Sequence, residues 1–302
     1  MGARVVRDES SHRSPTHETS DAPGENVVEG AGTLYVVSTP IGNLRDLSLR
    51  AIDVLRTVDL ILAEDTRHSR HLLAHHEIET RMLSYHEHNE ARATAAAIGR
   101  LRDGRDVALI SDAGTPLLSD PGARLVREAV EAGIAVVPIP GASALLAALV
   151  ASGLSTDRFT FYGFLARKGR ERDQALRELS GLRHTAVLYE APVRVANTLG
   201  DLRDHGAGSR KAVVARELTK QFEEIRRGTV AELAAYYEGS TPRGEVVIVL
   251  EGSTPPPLAE DQLRLRAREL RAAGLSARDV ADALVRDDGA SRNLAYRLAH
   301  EE

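Results

Sequence analysis

Four short segments rich in small residues and proline carry most of the chemistry legible in this chain. They are Ser38-Thr39-Pro40-Ile41-Gly42-Asn43-Leu44, Ser111 to Gly122, Pro138-Ile139-Pro140-Gly141-Ala142-Ser143-Ala144, and Tyr189-Glu190-Ala191-Pro192. Each lies at the end of a short apolar run of the kind that forms a buried strand, which is where open α/β sheets bind ligands. Glycine lets backbone approach a ligand closely, and proline fixes a loop's path without adding an N–H donor. Together the four imply a cleft lined by backbone N–H and C=O groups with few charges. Such a cleft suits a neutral or zwitterionic ligand with a nucleoside part. No G-x-G-x-x-G follows a strand, and neither G-x-x-x-x-G-K-[ST] nor G-x-S-x-G occurs. Nicotinamide dehydrogenases, P-loop enzymes and the common serine hydrolases are therefore disfavoured. Histidines gather at His68, His71, His75, His76, His86 and His88. His71 and His75 share helical spacing, but without H-E-x-x-H the expectation is a polar surface and no metal site.

The elements that must position these loops alternate. Strands are expected near Leu34–Ser38, Val58–Ala63, Val107–Ser111 and Ala135–Ile139. Helices are expected around Leu47–Arg56, Thr66–His75, Asn89–Arg102, Ala123–Ala132 and Ala144–Ala151. That alternation predicts a mainly parallel sheet covered on both faces. Gly153 to Arg158 resembles a linker, and a second alternation follows. Its strands lie near Phe159–Leu165, Thr185–Tyr189, Ala212–Arg216 and Val246–Leu250, with helices at Glu171–Ser180, Val193–Asp204 and Val230–Glu238. Pro255-Pro256-Pro257 breaks the chain. Three short helices close it, with Ser276 and Ser291 as N-caps and Gly274 and Gly289 as stops. They are compatible with a helix-turn-helix and equally with a plain docking element. The expected division is a disordered polar tail over 1–30, α/β domains over 31–152 and 153–252, and a helical segment over 253–302.

The 302 residues are 42% hydrophobic and 27% charged, as in soluble globular proteins. No apolar run approaches the roughly 20 residues that span a bilayer, and the polar N-terminus does not resemble a signal peptide. The absence of cysteine excludes disulfides, thiolate nucleophiles and Cys-type metal sites. A cytoplasmic location with no membrane contact is the simple expectation. A net charge of −5 argues against coating nucleic acid through bulk charge. Residues 158–183 nevertheless hold seven basic and three acidic side chains. That segment either contacts phosphates or forms a solvated face.

Six ordered motifs resemble one family. The loops at 38–44, 111–122, 140–144 and 189–192, with Ala63-Glu64-Asp65-Thr66-Arg67-His68 and Arg216-Glu217-Leu218-Thr219-Lys220, look like the ribosomal RNA small subunit methyltransferase I family of the tetrapyrrole methylase superfamily. The likeness runs from about Leu34 to Gly252, and Arg292-Asn293-Leu294-Ala295-Tyr296 resembles that family's last helix. It implies two α/β domains with the cofactor cleft between them, S-adenosylmethionine as methyl donor, and a homodimer. The implied acceptor is the ribose 2′-hydroxyl of a cytidine in the decoding region of 16S rRNA, within the 30S subunit. The positions matching the family's cofactor contacts are Ile41, Thr115, Leu118, Ser143, Ala144, Tyr189 and Leu218. Relatives acting on tetrapyrroles carry an aspartate where this chain has Thr115, a departure that favours the rRNA branch.

Methyl transfer to a ribose hydroxyl needs alignment and a proton acceptor. Related methylases place an acid at the end of the second strand, which makes Asp65 the first candidate base, with His86 as the second. Alternatively, Glu64, Asp65 and Arg67 form a structural ion-pair network. Arg67, Arg167, Lys168 and Arg170 are candidate phosphate contacts, or solvated surface. A methylase of a tetrapyrrole or another small molecule, and a non-catalytic RNA-binding protein, are the competing functions.

Overall fold

Strands only three to six residues long, most of them apolar and separated by amphipathic stretches, build two sheets in a computed structural model that describes residues 28–254 and 258–301. The first unit comprises β1 (Leu34–Val37), α1 (Leu49–Thr57), β2 (Leu60–Ala63), α2 (Thr66–His75), β3 (Met82–Ser84), α3 (Glu90–Arg102), β4 (Val107–Ile110), α4 (Ala123–Glu131), β5 (Val136–Ile139) and α5 (Ala144–Ser152). Its strands are all parallel, in the order β3-β2-β4-β1-β5. Both faces are buried. Val37, Ile61, Ala63, Ala108 and Ile110 meet α1 and α2 on one side, while Leu34, Leu60, Leu62, Val107 and Leu109 meet α3 and α4 on the other.

The second unit comprises β6 (Phe159–Phe164), α6 (Arg170–Gly181), β7 (Thr185–Glu190), α7 (Val195–Leu202), β8 (Lys211–Arg216), β9 (Glu224–Thr229), α8 (Val230–Glu238) and β10 (Val246–Leu250). Its order is β6-β7-β10-β8-β9, and only the β6–β7 pair is parallel. Period-two alternation divides each central strand between two cores. Ala186, Leu188, Ala212, Val214, Val246, Ile248 and Leu250 pack on α6, α7 and α8. Val187, Val213, Ala215, Val247 and Val249 pack on Leu145, Ala148 and Leu149 of α5. Thus α5, which ends the first alternation, covers the second sheet and joins the two units.

α9 (Glu260–Ala272), α10 (Ala277–Asp288) and α11 (Arg292–His300) form a separate small core around Leu263, Val280, Leu284, Ala295 and Leu298. Ser276 and Ser291 cap α10 and α11 by accepting from the N–H groups of Asp279 and Leu294. Arg183 donates to the Asp287 carbonyl at 3.0 Å and ties the trio to the second unit. Two strands went unpredicted, β3 and β9, and both are sheet edges. β9 reads Glu-Ile-Arg-Arg-Gly-Thr, a charged sequence that suits an edge but lacks a strand's apolar signal. Residues 1–27 of the expected disordered tail and the Pro255-Pro256-Pro257 break lie outside the described residues. Val28, within the range assigned to that tail, donates to the Gly133 carbonyl at 2.9 Å.

Two glycines make opposite predictions. Gly122, before α4, has φ +131°, and a Cβ there would stand 2.6 Å from Leu109 Cδ2 in the core. Gly99 is an exposed position inside α3 with open space around it. Gly122→Ala should lower stability by about 1–3 kcal/mol. Gly99→Ala should raise it by roughly 0.5–1 kcal/mol. Urea titration of the two variants checks both signs.

Candidate active site

The parallel sheet fixes where the cleft opens. α1 follows β1 onto one face and α4 follows β4 onto the other, so the loops after these neighbouring strands leave in opposite directions. Such a switch point leaves a crevice at the strands' C-terminal ends. The two loops are tied to each other. Thr39 N–H donates to the Gly114 carbonyl at 2.8 Å, and Gly114 N–H returns a bond to Thr39 at 3.1 Å. The Thr39 hydroxyl donates to the Ser111 carbonyl, and the Ser111 hydroxyl to the Gly114 carbonyl, each at 3.0 Å. Thr115 Oγ1 lies 3.0 Å from Ser38 Oγ and donates to the Ala142 carbonyl at 3.3 Å, which adds the third loop. Leu117 and Ser119, each at φ +74°, hold left-handed conformations that non-glycine residues rarely adopt. The bonds at Ser111, Gly114 and Thr115 anchor the loop that enters these strained positions.

The second sheet supplies the opposite wall. Tyr189 packs edge-on against Phe161, ring centroids 4.8 Å apart, and Phe164 lies 5.7 Å from it. Glu190 is only 2% exposed and fully partnered. Its carboxylate accepts from the Thr198 hydroxyl at 2.6 Å and from Ala191 N–H at 2.8 Å, and pairs with Arg194 at 3.2 Å. Arg172, 7% exposed, donates to Thr198 Oγ1 at 3.0 Å and pairs with Asp201 at 2.6 Å. This network holds the β7 loop in place.

Between the walls lies a cavity of about 450 Å³, a size ordinary for small-molecule sites. Ile41, Leu118, Ala144, Phe164, Tyr189 and Pro192 give it apolar surface, and Glu64, Asp112 and Asp120 give it negative charge. Burial pushes Asp120 up to about 7, with help from the charges of Glu64 and Asp112. Burial also raises Glu64, as do Asp112 and Asp65, while His86 opposes the shift. Glu190 and Glu245 also line it but are paired with Arg194 and Lys220, so the three carboxylates without an ion pair among the described residues favour a cationic ligand.

Among the expected cofactor contacts, Ile41, Leu118, Ala144 and Tyr189 line the cavity. Thr115, Ser143 and Leu218 are not among its lining residues. Thr115 joins the three loops, Ser143 caps α5 by accepting from Leu146 N–H, and Leu218 is buried in the core shared by the two units. Asp65 stands at the start of α2 as its N-cap, accepting from Arg67 N–H at 2.8 Å and pairing with the Arg67 guanidinium at 2.9 Å. These bonds hold it down to about 2, which makes it a weak base, and it does not line the cavity. Its neighbour Glu64 does. His86 is half-buried outside the lining, with Nδ1 buried and unpartnered. Arg67 is 87% exposed, and Arg167, Lys168 and Arg170 are exposed beside the start of α6. Glu64, Asp112, Asp120, Phe164 and the 244–247 segment are the cavity residues that sequence reasoning missed. Two of them, Asp112 and Asp120, stood inside a loop already singled out.

Two mixed or parallel α/β sheets sharing one core, with a cleft between them at the strand ends, define a tetrapyrrole methylase fold. The family profile of tetrapyrrole (corrin/porphyrin) methylases matches residues 33–234. Uroporphyrin-III C-methyltransferase from Thermus thermophilus, solved in complex with S-adenyl homocysteine, superposes with a TM-score of 0.54 at 20% identity, covering 73% of this chain and 97% of that one. Diphthine synthase superposes with a TM-score of 0.57 at 16% identity, covering 74% and 90%. The small subunit rRNA methyltransferase I of Synechocystis is 48% identical over 273 residues, 89% of this chain and 98% of its own length. That of Pseudomonas aeruginosa is 48% identical over 274 residues, covering 89% and 97%. The chain belongs to the ribosomal RNA small subunit methyltransferase I family.

The placement of Asp65 predicts that Asp65→Ala lowers the thermal midpoint slightly, through the lost cap, and leaves methyl transfer within about threefold of wild type. Thermal melts with initial rates on one preparation check it. A hundredfold loss of rate at an unchanged midpoint would restore Asp65 to the chemistry.

Proposed function

We propose that Asp120 accepts the proton of a cytidine ribose 2′-hydroxyl presented by 16S rRNA within the 30S subunit, and that the protein works as a cytoplasmic homodimer. As a member of its family the chain is an S-adenosylmethionine-dependent rRNA methyltransferase. The observation that carries the reading is the cavity between the two sheets, with the unpaired carboxylates Glu64, Asp112 and Asp120 on one wall and the rings of Phe164 and Tyr189 on the other.

That donor set fits the cofactor. Glu64, Asp112 and Asp120 suit a cation, while Ile41, Leu118, Phe164 and Tyr189 suit a purine ring. When bound, S-adenosylmethionine supplies a sulfonium methyl already activated for displacement. The chain's part is to align the acceptor, exclude water and take one proton. A carboxylate poised at about 7 is matched to that last task near neutral pH, better than one held at about 2. Apolar residues of the β4 and β7 loops keep water from the reacting oxygen. Arg167, Lys168 and Arg170 make no ion pair among the described residues, which supports a role on phosphate. Exposed Leu146 and Val150 on α5 support burial against a second copy. Among the described residues no helix is long and apolar enough to cross a membrane.

Asp120→Asn should lower kcat by about 10²–10⁴ while affinity for S-adenosylmethionine changes by less than about tenfold. In wild type, kcat/KM should rise as pH passes about 7, because the base works only when deprotonated. The variant should lack that limb. The sign for stability is opposite. A folded-state value near 7, above the ordinary 3.8, favours the protonated form in the fold. The charge therefore costs stability increasingly as pH rises from 3.8 through about 7. Asp120→Asn should thus gain more in thermal midpoint at about pH 8 than at about pH 5. Transfer of labelled methyl to undermethylated 30S subunits, naked 16S rRNA and a tetrapyrrole tests the acceptor. Label in the tetrapyrrole alone would sink the rRNA reading.

A further inference from the structure

A second hollow, of about 400 Å³, flanks the segment that leads into β10. The cleft uses residues 244–247 of that segment, and the hollow uses Pro242 and Arg243. Its other walls are the end of β8, the β8–β9 hairpin and the last turn of α8. Phe222, at the hairpin, is 67% exposed, and Tyr236 is 44% exposed with the Arg226 guanidinium stacked 3.8 Å from its ring centroid. Water-facing aromatic rings beside guanidinium groups form the kind of surface on which single-stranded nucleic acid stacks its bases.

Two further features point to a ligand. Tyr237, 4% exposed, lines the hollow with its hydroxyl buried and unpartnered. Arg226 is at most a weak, marginal partner for that hydroxyl, and Glu224 acts on it only through its charge. An unsatisfied buried hydroxyl is costly, and a base edge offering a donor or acceptor would relieve it. Arg243 is exposed and has no ion pair among the described residues, whereas Arg216 and Arg226 are both committed to Glu224, each at 2.7 Å. Arg243 is therefore the cation left for a phosphate.

The hairpin is also built to stay in place. Glu217 and Thr219 adopt φ +51° and +66°. Glu217 accepts from Glu245 N–H at 3.1 Å and pairs with Lys220 at 2.8 Å. The Lys220 stem lies against Gly42 of the β1 loop so closely that a Cβ on Gly42 would overlap it. The hollow is thus fixed relative to both walls of the cleft.

We propose that this hollow binds an unpaired nucleobase of the RNA substrate, stacked on Phe222 and hydrogen-bonded by the Tyr237 hydroxyl, with Arg243 on the adjoining phosphate. The proposal rests on the reading of the chain as an rRNA methyltransferase and adds to it a place where a nucleotide near the acceptor is held.

The chain contains no tryptophan, so Phe222→Trp installs a single reporter at an exposed position. A single-stranded oligoribonucleotide of about ten residues should quench the introduced indole saturably, and an abasic oligomer of equal length should not. Phe222→Ala should raise KM for 30S subunits about tenfold or more, with affinity for S-adenosylmethionine held within about twofold. Tyr237→Phe should weaken RNA binding about fivefold while leaving the thermal midpoint equal or higher, which a merely structural hydroxyl would not do. The proposal is overturned if oligomer binding registers by anisotropy without quenching, or if the abasic oligomer quenches equally. It is also overturned if Phe222→Ala changes the sedimenting mass with KM unmoved, which would make the surface a self-contact. If wild type itself neither binds RNA nor methylates 30S subunits, the functional reading falls and the hollow with it. Methylation by wild type without quenching in the Phe222→Trp variant removes the hollow alone.

Discussion

The burial of α5 against the second sheet is the contact on which the rest of the molecule depends. Leu145, Ala148 and Leu149 close over Val187, Val213, Val247 and Val249, and Ile41 and Leu218 join the same cluster from loops of opposite units. A fully buried aliphatic side chain contributes about 1.5–3 kcal/mol, so this layer locks two sheets that share no strand. It also fixes the cleft. Ala144, the first residue of α5, lines the cavity, and the loop before it accepts the Thr115 hydroxyl at Ala142. The helix that ends one alternation in sequence is therefore the seam of the whole fold.

Around that seam the protein tolerates two expensive features. One is backbone strain at Leu117 and Ser119, in a loop anchored by the hydrogen bonds among Ser38, Thr39, Ser111, Gly114 and Thr115. The other is the convergence of Glu64, Asp112 and Asp120 in a half-buried cleft, where burial first and mutual repulsion second raise the affinity of Glu64 and Asp120 for protons. Asp112 is partly offset, because it accepts from Asp65 N–H at 3.0 Å. Repulsion of this kind destabilises the fold and stabilises a bound cation by the same mechanism, a common signature of a functional site.

The sequence made the scaffold legible wherever one signal dominated. Helix α2 runs over Thr66–His75 as expected, because Asp65 caps it and His76 follows as its C-cap. The central strands were readable from apolar runs, and the ligand loops from glycine and proline. Edge strands β3 and β9 were not, since an edge needs neither alternation nor a buried face. The acidic residues were the harder case. Glu64 and Asp65 are adjacent and look interchangeable in sequence, yet one faces the cavity while the other caps a helix under Arg67. Only the backbone direction at the end of β2 separates them. Asp120 lay within a recognised loop, but its proton affinity is moved by burial and by the charges of Glu64 on β2's end and of Asp112, which only the fold reveals.

An enzyme with a net charge of −5 and an acidic cleft faces a contradiction when its substrate is a polyanion. The resolution is spatial. Glu64, Asp112 and Asp120 sit on the first sheet's wall, where a cationic donor is favoured, while Arg243 and the rings of Phe222 and Tyr236 belong to the second unit. Glu217, Lys220 and Glu245 tie the β8–β9 hairpin to the segment that leads into β10 through bonds of 2.8–3.2 Å. With bulk charge unfavourable, the proposed surface would engage RNA through a few placed guanidinium groups and through stacking, which is far less sensitive to salt than phosphate neutralisation. A substrate lacking an accessible unpaired nucleotide would then gain little from this surface. On that proposal, selection of the acceptor falls to local RNA structure more than to electrostatic attraction.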